Sequence, residues 1–419
     1  MSENKSEPLG SGFNRLWSAS ILSNLADGVL AVAAPLLAIT LTKDPVLIAL
    51  LSAMISLPWL FFAIPIGLIV DLVDKRHLIA LTNTLRFLIA AFLAVSISTD
   101  HITIYWLLAA AFLIGICEVA ADTAAQSLIP VILEKQNFER ANSRLNISES
   151  IIQGFVGAPL SGFLYSAAIF LPFIFNSLGF AIAAIFVLMI PAHLVAPKEI
   201  IESQKIEHES FLAEIKLGLK HLWQDKNLRG LVSVTTSMGF FFSLAMSTMV
   251  LFATEILKVQ PKYFGVVMAV IGAGGIVGAL AAPKTSKRFG RGRVLAVTIV
   301  VSSVAMLVQG FAPNIWFYIP VGFCASIAMA HWNILLMSCY QVLIPKEIYG
   351  RIHGARRTFV WGIMPIGAFC GGVIANTGLR SPLIVGGVGT TVISLAAYSM
   401  IRRIGESTSA GDQVENAKV

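Results

Sequence analysis

The chain has 419 residues, of which 56% are hydrophobic and 13% are charged, and its mean hydropathy is +0.80. Soluble domains carry about 25% charged residues, so this composition excludes an ordinary soluble enzyme. The formal charge of +7 does not call for a nucleic-acid partner, because the basic residues concentrate in short loops between apolar runs.

Apolar stretches of about 20 residues recur along the chain, the pattern of a helical protein that crosses a membrane many times. The polar residues 1–14 contain no basic segment followed by a cleavage site, so we expect the first run to be retained as a helix. Six runs occupy the first half, at about 16–42, 46–71, 78–98, 103–129, 145–168 and 171–194. Six more follow a polar linker, at about 229–256, 263–283, 293–312, 315–343, 355–378 and 382–401.

Acidic residues are rare inside these runs, and two of them lie deep. Asp27 lies twelve residues beyond Arg15, and Glu118 lies twelve residues before Pro130, so each is roughly 18 Å from one end of its helix. That depth is near the midplane of a hydrocarbon core about 30 Å thick. A charge at a helix centre costs about 2.5–3.5 kcal/mol, so such acids need a partner, a wet cavity or a proton.

Two further charged residues belong to the same question. Asp122 follows Glu118 by four residues, so both carboxylates share one helix face and can share or relay a proton. Arg86, about ten residues beyond Arg76, is also deep. Either Arg86 is permanently paired with an acid, or it holds one acid while another titrates. We predict that Asp27, Glu118 and Asp122 couple transport to protons; the sequence leaves the partner of Arg86 open.

A charged motif lies between the second and third runs and reads Gly67-Leu68-Ile69-Val70-Asp71-Leu72-Val73-Asp74-Lys75-Arg76. Gly67 permits close helix contact, Asp71 can accept bonds from helix-terminal amides, and Lys75 and Arg76 stay in the cytoplasm. We predict that these residues, together with Asp74, form a cytoplasmic latch between the two halves of the protein.

The chain contains an internal repeat. The segment Gln126-Ser127-Leu128-Ile129-Pro130 matches Gln341-Val342-Leu343-Ile344-Pro345, and each ends the fourth run of its half. Duplicated bundles place a substrate site between the halves near the bilayer midplane. The predicted organisation is a polar terminus (1–14), a bundle (15–195), a linker (196–228), a second bundle (229–404) and a tail (405–419).

The linker carries apolar residues at helical spacing, which predicts an interfacial amphipathic helix; the alternative is a solvated connector. Loop Lys and Arg residues concentrate in one alternate set of loops, together with the termini and the linker. The positive-inside rule therefore predicts cytoplasmic termini and a multi-pass protein of the cytoplasmic, or inner, membrane.

The second half offers an aromatic and methionine-containing set suited to a bulky, partly apolar compound. The candidate substrate-lining residues are Phe240, Phe241, Met246, His331, Trp332 and Asn333. The alternative is that each simply packs between helices, since 26 Phe residues cannot all face a cavity. The sequence shows no catalytic motif, metal-ligand cluster or cofactor motif.

Two segments carry a resemblance to a known family. The motif at 67–76 resembles the cytoplasmic loop motif of the major facilitator superfamily. The segment Gly154-Phe155-Val156-Gly157-Ala158-Pro159-Leu160-Ser161-Gly162-Phe163 is similar to the Gly/Pro motif of the family's antiporters, in which Gly154, Pro159 and Gly162 match. The pieces Asp27-Gly28, Leu57-Pro58-Trp59 and Arg140-Ala141-Asn142 are closest to its enterobactin-exporter-like and macrolide-efflux-like permeases.

The resemblance implies an all-α membrane protein with twelve transmembrane helices in two pseudo-symmetric six-helix bundles. It also implies alternating access without covalent chemistry or a cofactor, and thus no enzyme. We predict a monomer, embedded in lipid, that exports a small amphiphilic or lipophilic compound (a drug, macrolide or siderophore-like molecule) in exchange for protons, as in multidrug resistance. Proton-coupled uptake, and a non-transporting receptor or assembly protein, are the alternatives.

Overall fold

The computed structural model of the protein describes residues 9–134, 137–191, 222–344 and 349–416. Within these ranges the chain forms helices joined by short turns, and no strand. Most of the predicted linker helix falls on 192–221, outside the described residues.

The helices of the first half run in sequence from α1 to α8. They are α1 (Gly10–Leu41), α2 (Pro45–Phe61), α3 (Ala63–Leu72), α4 (Lys75–Ser98), α5 (Ile104–Ile132), α6 (Phe138–Ser148), a π-helix (Glu149–Gly157), α7 (Ala158–Ala167) and α8 (Leu171–Leu188). Those of the second half are α9 (Lys226–Met246), the single turn α10 (Met249–Leu251), a second π-helix (Phe252–Ile256), α11 (Pro261–Phe289), α12 (Arg291–Gly310), α13 (Ile315–Leu343), α14 (Tyr349–Ala375), α15 (Ser381–Ala396) and α16 (Tyr398–Asn416).

Many of these helices are long and apolar enough to cross a bilayer. Among the described residues eight satisfy this condition alone, namely α1, α4, α5, α8, α9, α11, α12 and α13. The bent pair α15 and α16, at 56°, adds one more span if counted as a single unit, and three shorter apolar segments lie at Pro45–Phe61, Ile151–Ala167 and Phe359–Ala375. The predicted all-α membrane fold is confirmed, whereas the number twelve stays a prediction.

Local sequence sets where several helices begin. The side chains of Asp74, Thr103, Asp225 and Asn314 accept hydrogen bonds from the first free backbone N–H groups of α4, α5, α9 and α13. Gly290 separates α11 from α12 with a φ of +86°, a conformation that glycine adopts without a Cβ penalty. These short polar residues and glycine define the ends of otherwise continuous apolar runs.

The chain divides into two compact units, each with its own core. The first unit comprises Met1–Leu41, Leu57–Glu199 and Pro261–Val266; the second comprises Thr42–Ser56, Ile200–Gln260 and Val267–Val419. In the first unit α1 packs against α8, the first π-helix and α7, and α4 packs against α8 and α5. In the second unit α9 packs against α14 and α15, and α12 packs against α13, α15 and α16. The bundle boundaries expected from the sequence stay a prediction.

Neighbouring side chains hold α1 by its backbone. Three carbonyl oxygens on one face of this helix accept hydrogen bonds from α7 and α8, in addition to their bonds within the helix. The pairs are Ser161 Oγ with Val29 at 2.6 Å, Tyr165 Oη with Leu36 at 3.0 Å, and Asn176 Nδ2 with Ala26 at 2.7 Å. All three donors are buried, so these bonds fix α1 against the two helices.

Glycines allow α1 to approach the first π-helix at backbone distance. A Cβ on Gly157 would lie 2.8 Å from the Cα of Gly28, and a Cβ on Gly28 would overlap the backbone of Gln153. No larger residue fits at either position without a shift of the helices. The contact brings the residue beside Asp27 directly against the fifth apolar run.

Candidate functional site

A buried ion pair joins two helices of the first unit. The guanidinium of Arg86 on α4 donates one hydrogen bond to the carboxylate of Asp27 on α1 and a second, of 3.1 Å, to Ser23 Oγ. The ring of Phe180 lies 4.0 Å from the guanidinium carbon. The Arg86 side chain is 1% exposed and that of Asp27 is 16% exposed, so the arginine is sealed while the acid keeps a small open surface. The structure thus assigns Asp27 as the partner of Arg86.

The other two candidate acids lie on α5 in the same unit. Glu118 is half-buried and Asp122 is exposed. Asp122, together with Glu149 of the first π-helix, lies within electrostatic range of Asp27. Glu149 was not among the candidate residues of the sequence, but its charge also acts on the buried Asp27. Two further carboxylates, those of Asp122 and Glu149, thus act electrostatically on the acid that Arg86 holds.

The charged loop motif organises the ends of helices within the first unit. Asp74 caps α4, and its Oδ2 lies 2.9 Å from Nδ1 of His77. Arg76 donates a 2.9 Å hydrogen bond to the carbonyl of Ile190, just past the end of α8. Within the described residues no heavy atom lies within 4 Å of a Cβ built on Gly67. The predicted close helix contact at Gly67 is therefore absent from this part of the structure.

Two members of the predicted latch have few described contacts. Lys75 is the first residue of α4 and is half-buried. Asp71 lies in α3, and its side chain is outside the described part of the structure. The latch between halves stays a prediction.

The three positions of the Gly/Pro motif have different surroundings. A Cβ on Gly154 would meet no described heavy atom within 4 Å, whereas one on Gly162 would lie 2.6 Å from the carbonyl oxygen of Lys262. Pro159 is the second residue of α7, which continues directly from the π-helix, so its missing N–H removes one hydrogen bond at this junction. The motif thus coincides with the change from π-helix to α-helix between Gly157 and Ala158.

A large apolar cavity lies within the second unit, with a volume of about 560 Å³. This size is in the range of sites that hold drug-sized ligands. Seven of the protein's 12 methionines line it, together with aromatic residues and a few polar groups. The methionines are Met238, Met246, Met249, Met268, Met306, Met329 and Met364; the aromatic residues are Phe242, Tyr318, Trp332 and Trp361; the charged or amide residues are Gln309, Asn333 and Arg356.

Half of the predicted substrate-lining set borders this cavity. Met246, Trp332 and Asn333 line it. Phe240 and Phe241 instead pack edge to face, with ring centroids 5.2 Å apart, and the Phe241 ring also packs on Gly389. His331 is buried, and its Nδ1 lies 2.9 Å from the Ile327 carbonyl oxygen. For these three residues the described contacts are those of helix packing.

Methionine was part of the substrate-lining set predicted from the sequence. Nine of the 12 methionines fall in the second half of the chain, and seven of these nine line the cavity. Arg356 was not among the candidate residues, but it borders the cavity, and its guanidinium carbon lies 4.7 Å from the centroid of the Tyr340 ring.

A polytopic helical fold with an intramembrane ion pair and a drug-sized apolar cavity is that of a membrane transport protein. The model of the MFS_3 family, described as transmembrane secretion effectors, matches residues 7–417. The chain therefore belongs to this family of major facilitator transporters. The superfamily and efflux-branch resemblance found in the sequence is confirmed.

Individual relatives are distant but cover most of the chain. The multidrug efflux pump Tap of Mycolicibacterium fortuitum is 22% identical, over 85% of this chain and 88% of its own. The macrolide efflux protein A of Streptococcus pyogenes is 20% identical, over 87% and 89%. The crystal structure of a mutant of the nucleoside transporter NupG has a TM-score of 0.73 at 15% identity, over 93% of this chain and 99% of that one, and shares the fold. These relatives are transporters and not enzymes.

Proposed function

We propose that this protein exports a small amphiphilic or lipophilic compound from the cytoplasm in exchange for protons, by alternating access across the cytoplasmic membrane. The observation that carries the proposal is the methionine-lined cavity of about 560 Å³ in the second unit. The names of two relatives, a multidrug efflux pump and a macrolide efflux protein, favour export over uptake.

The composition of the cavity wall suits compounds of several shapes. Methionine is unbranched and polarisable, so seven of them form a surface that can repack around different ligands. Trp332 and Trp361 supply flat apolar area, while Asn333 and Gln309 supply hydrogen bonds that orient a ligand. Such a wall favours a bulky, mainly apolar molecule with a few polar groups over a sugar or a nucleotide.

The ion pair of the first unit supports the proposal of proton coupling. Arginine keeps its proton under all physiological conditions, so only the carboxylate of the pair can change charge. Protonation of Asp27 would release Arg86 from this ion pair. A conformational change that lets another acid pair with Arg86 would in turn free the carboxylate of Asp27. We propose that Glu118 and Asp122, which belong to the same unit, are the acids that replace Asp27 as partners of Arg86.

The charged loop motif has a supporting role in the proposal. Asp74, Lys75 and Arg76 mark the cytoplasmic side, where they would join Gly67 and Asp71 in stabilising one state of the transporter. Both termini would lie on that same side. Export as a monomer completes the proposed description.

The test uses purified protein in proteoliposomes of known orientation, with N-phenyl-1-naphthylamine as a fluorescent lipophilic probe. An imposed proton gradient should drive the probe against its concentration gradient, in the direction opposite to proton flow. Asp27→Asn and Glu118→Gln should each abolish driven accumulation, while Glu255→Gln, an acid that pairs with Lys43 in the second unit, should leave it intact.

Different failures have different meanings. Probe movement in the same direction as protons would replace export by uptake. Binding of the probe without any flux would favour a non-transporting receptor. Unchanged driven flux in both acid variants would exclude these residues from proton coupling.

A further inference from the structure

One end of the cavity in the second unit lies where α12 turns into α13. The lining residues of α12 are three or four positions apart and so share one helix face: Ile299, Ser302, Ser303, Met306 and Gln309. On α13 the lining begins at Tyr318 and Gly322, and only the turn 311–314 separates the two helices. Gln309, Tyr318 and Gly322 therefore border the same end of the cavity, which is named the α12–α13 end.

Gln309 is a buried polar residue whose side chain has no structural task. It is 5% exposed, and its side-chain amide makes no hydrogen bond to any residue that the structure describes. Other groups satisfy the end of α12: the N–H of Ala312 donates to the backbone carbonyl of Gln309, and Arg380 Nη1 donates to the carbonyls of Gly310 and Ala312, at 2.9 and 2.8 Å. Because a buried amide without a partner is costly, its presence in a cavity wall indicates a ligand that bonds to it.

Gly322 provides the space in which this amide lies. A Cβ on Gly322 would be 2.7 Å from Nε2 of Gln309 and 3.1 Å from Cδ1 of Ile271. The side chain of Gln309 thus packs against the backbone of α13, and any larger residue at 322 would push the amide away from its present position.

Tyr318 adds a second polar group at the α12–α13 end. Its side chain is buried, and its hydroxyl donates to the sulfur of Met249 at 3.3 Å. A thioether is a weak acceptor, and the hydroxyl oxygen itself can still accept a hydrogen bond. The described lining residues of α12 and α13 are all uncharged. This end of the cavity therefore offers hydrogen-bond donors and acceptors within an uncharged wall.

We propose that the preferred ligand is an uncharged amphiphile that carries an amide group, with the amide at Gln309 and the apolar body along the methionine-lined wall. This inference rests on the proposed function in taking the cavity as the substrate site. The Gln309 side chain presents a donor and an acceptor side by side, and a ligand amide presents the complementary pair, so that two hydrogen bonds form together. An ionised head group is disfavoured, because it would lose its hydration where the wall supplies no opposite charge.

The test compares three probes that share a pyrene ring and a four-carbon chain. They are 1-pyrenebutanamide, whose amide donates and accepts; methyl 1-pyrenebutanoate, whose ester only accepts; and 1-butylpyrene, which does neither. Binding to purified protein in a neutral detergent is followed by energy transfer from tryptophan, since Trp332 and Trp361 line the cavity. After correction for partition into micelles, affinity should fall in that order, and the amide should bind about ten-fold or more tightly than 1-butylpyrene.

Two variants remove or displace the amide of the protein. Gln309→Met keeps an unbranched side chain, so it should weaken binding of the amide probe about ten-fold and change binding of 1-butylpyrene less than about two-fold. It should not lower the unfolding temperature, because it removes a buried polar group that has no described partner. Gly322→Ala should produce the same selective loss, because the added methyl group would occupy the place of Nε2.

Gln341→Met is the matched control. Gln341 belongs to the same unit and to α13, but it is exposed and does not line the cavity. The same substitution there should leave the ratio of amide to 1-butylpyrene affinity unchanged.

Several results would overturn the proposal. They are an unmodified protein that binds the amide probe within about two-fold of 1-butylpyrene, an ester that binds as tightly as the amide, and an amide preference that survives Gln309→Met. A marked fall in the unfolding temperature of Gln309→Met without probe would show a structural partner and overturn it as well. These measurements need no gradient, so the amide preference can fail while driven export of N-phenyl-1-naphthylamine succeeds, and the reverse.

Discussion

The ion pair between Asp27 and Arg86 makes a stability prediction that depends on which partner is removed. Asp27→Asn leaves a guanidinium that is 1% exposed and cannot lose its proton. Loss of one member of a buried pair costs about 3–5 kcal/mol. Arg86→Met should cost less, because the remaining carboxyl can become neutral by taking up a proton.

The double variant provides the sharpest comparison. Replacing both charges leaves no buried ion, and such replacements are often close to neutral in stability. The double variant Asp27→Asn/Arg86→Met should therefore be more stable than Asp27→Asn alone. The coupling free energy between the two sites should be at least about 2 kcal/mol, within the range found for residues in contact.

Thermal unfolding in detergent, followed by the loss of monodisperse protein, measures the effect. For a unit of this size 1 kcal/mol corresponds to about 2–4 °C, so Asp27→Asn should lower the unfolding temperature by roughly 6 °C or more. Asp100→Asn is the control, because this acid is exposed and its φ of 56° suits asparagine equally well. Additive effects, with a coupling below about 0.5 kcal/mol, would refute the reasoning.

Three further predictions concern packing and exposed charge. Gly157→Ala should destabilise the protein by about 1–3 kcal/mol through overlap with α1, whereas Gly154→Ala should be neutral or slightly stabilising, both measured by thermal unfolding. Asn176→Ala should cost about 1–3 kcal/mol, because it removes the buried donor to α1. The hydrogen bond from Lys43, with its adjacent charge, lowers the pKa of Glu255 below its ordinary value of 4.5, so Glu255→Gln should lower the unfolding temperature slightly near neutral pH.

The sign of the last effect follows from linkage. A carboxyl whose pKa is lowered by folding adds stability above its unfolded pKa and loses that contribution as the pH falls through the folded value. The difference between Glu255→Gln and the unmodified protein should therefore shrink as the pH falls from 4.5 through the lowered pKa of Glu255, and a difference that grows in acid would contradict it. For the glycines, equal effects of Gly157→Ala and Gly154→Ala on the unfolding temperature would show that the close contact of Gly157 with α1 does not determine stability.

The helical membrane fold could be predicted because apolar runs of bilayer length are a direct consequence of the cost of exposing backbone groups to lipid. A deep position for Asp27 and Arg86 follows in the same way, by counting residues from Arg15 and Arg76, and stays a prediction. Their pairing could not, since it depends on which faces of α1 and α4 meet. That geometry is set by contacts distant in sequence, such as Asn176 with the backbone of α1.

The lining of the cavity likewise depends on helix rotation, which is set by contacts between residues distant in sequence. Met246 and Trp332 line it, whereas Phe240 and Phe241, which are equally large and mainly apolar, pack between helices. Only helix rotation distinguishes a residue that lines a cavity from one that packs behind it, and the sequence carries no direct signal for rotation in a helix that is apolar on all sides.

The three carbonyl bonds to α1 have a consequence for the meaning of variation in this protein. They fix the rotation of α1, because the helix cannot turn about its long axis without breaking all three hydrogen bonds at once. The azimuth of Asp27 is therefore set by Ser161, Tyr165 and Asn176, none of which carries a charge. A substitution at one of these uncharged positions would therefore disturb the ion pair between Asp27 and Arg86. A comparison of related sequences that considers only titratable residues would miss this effect.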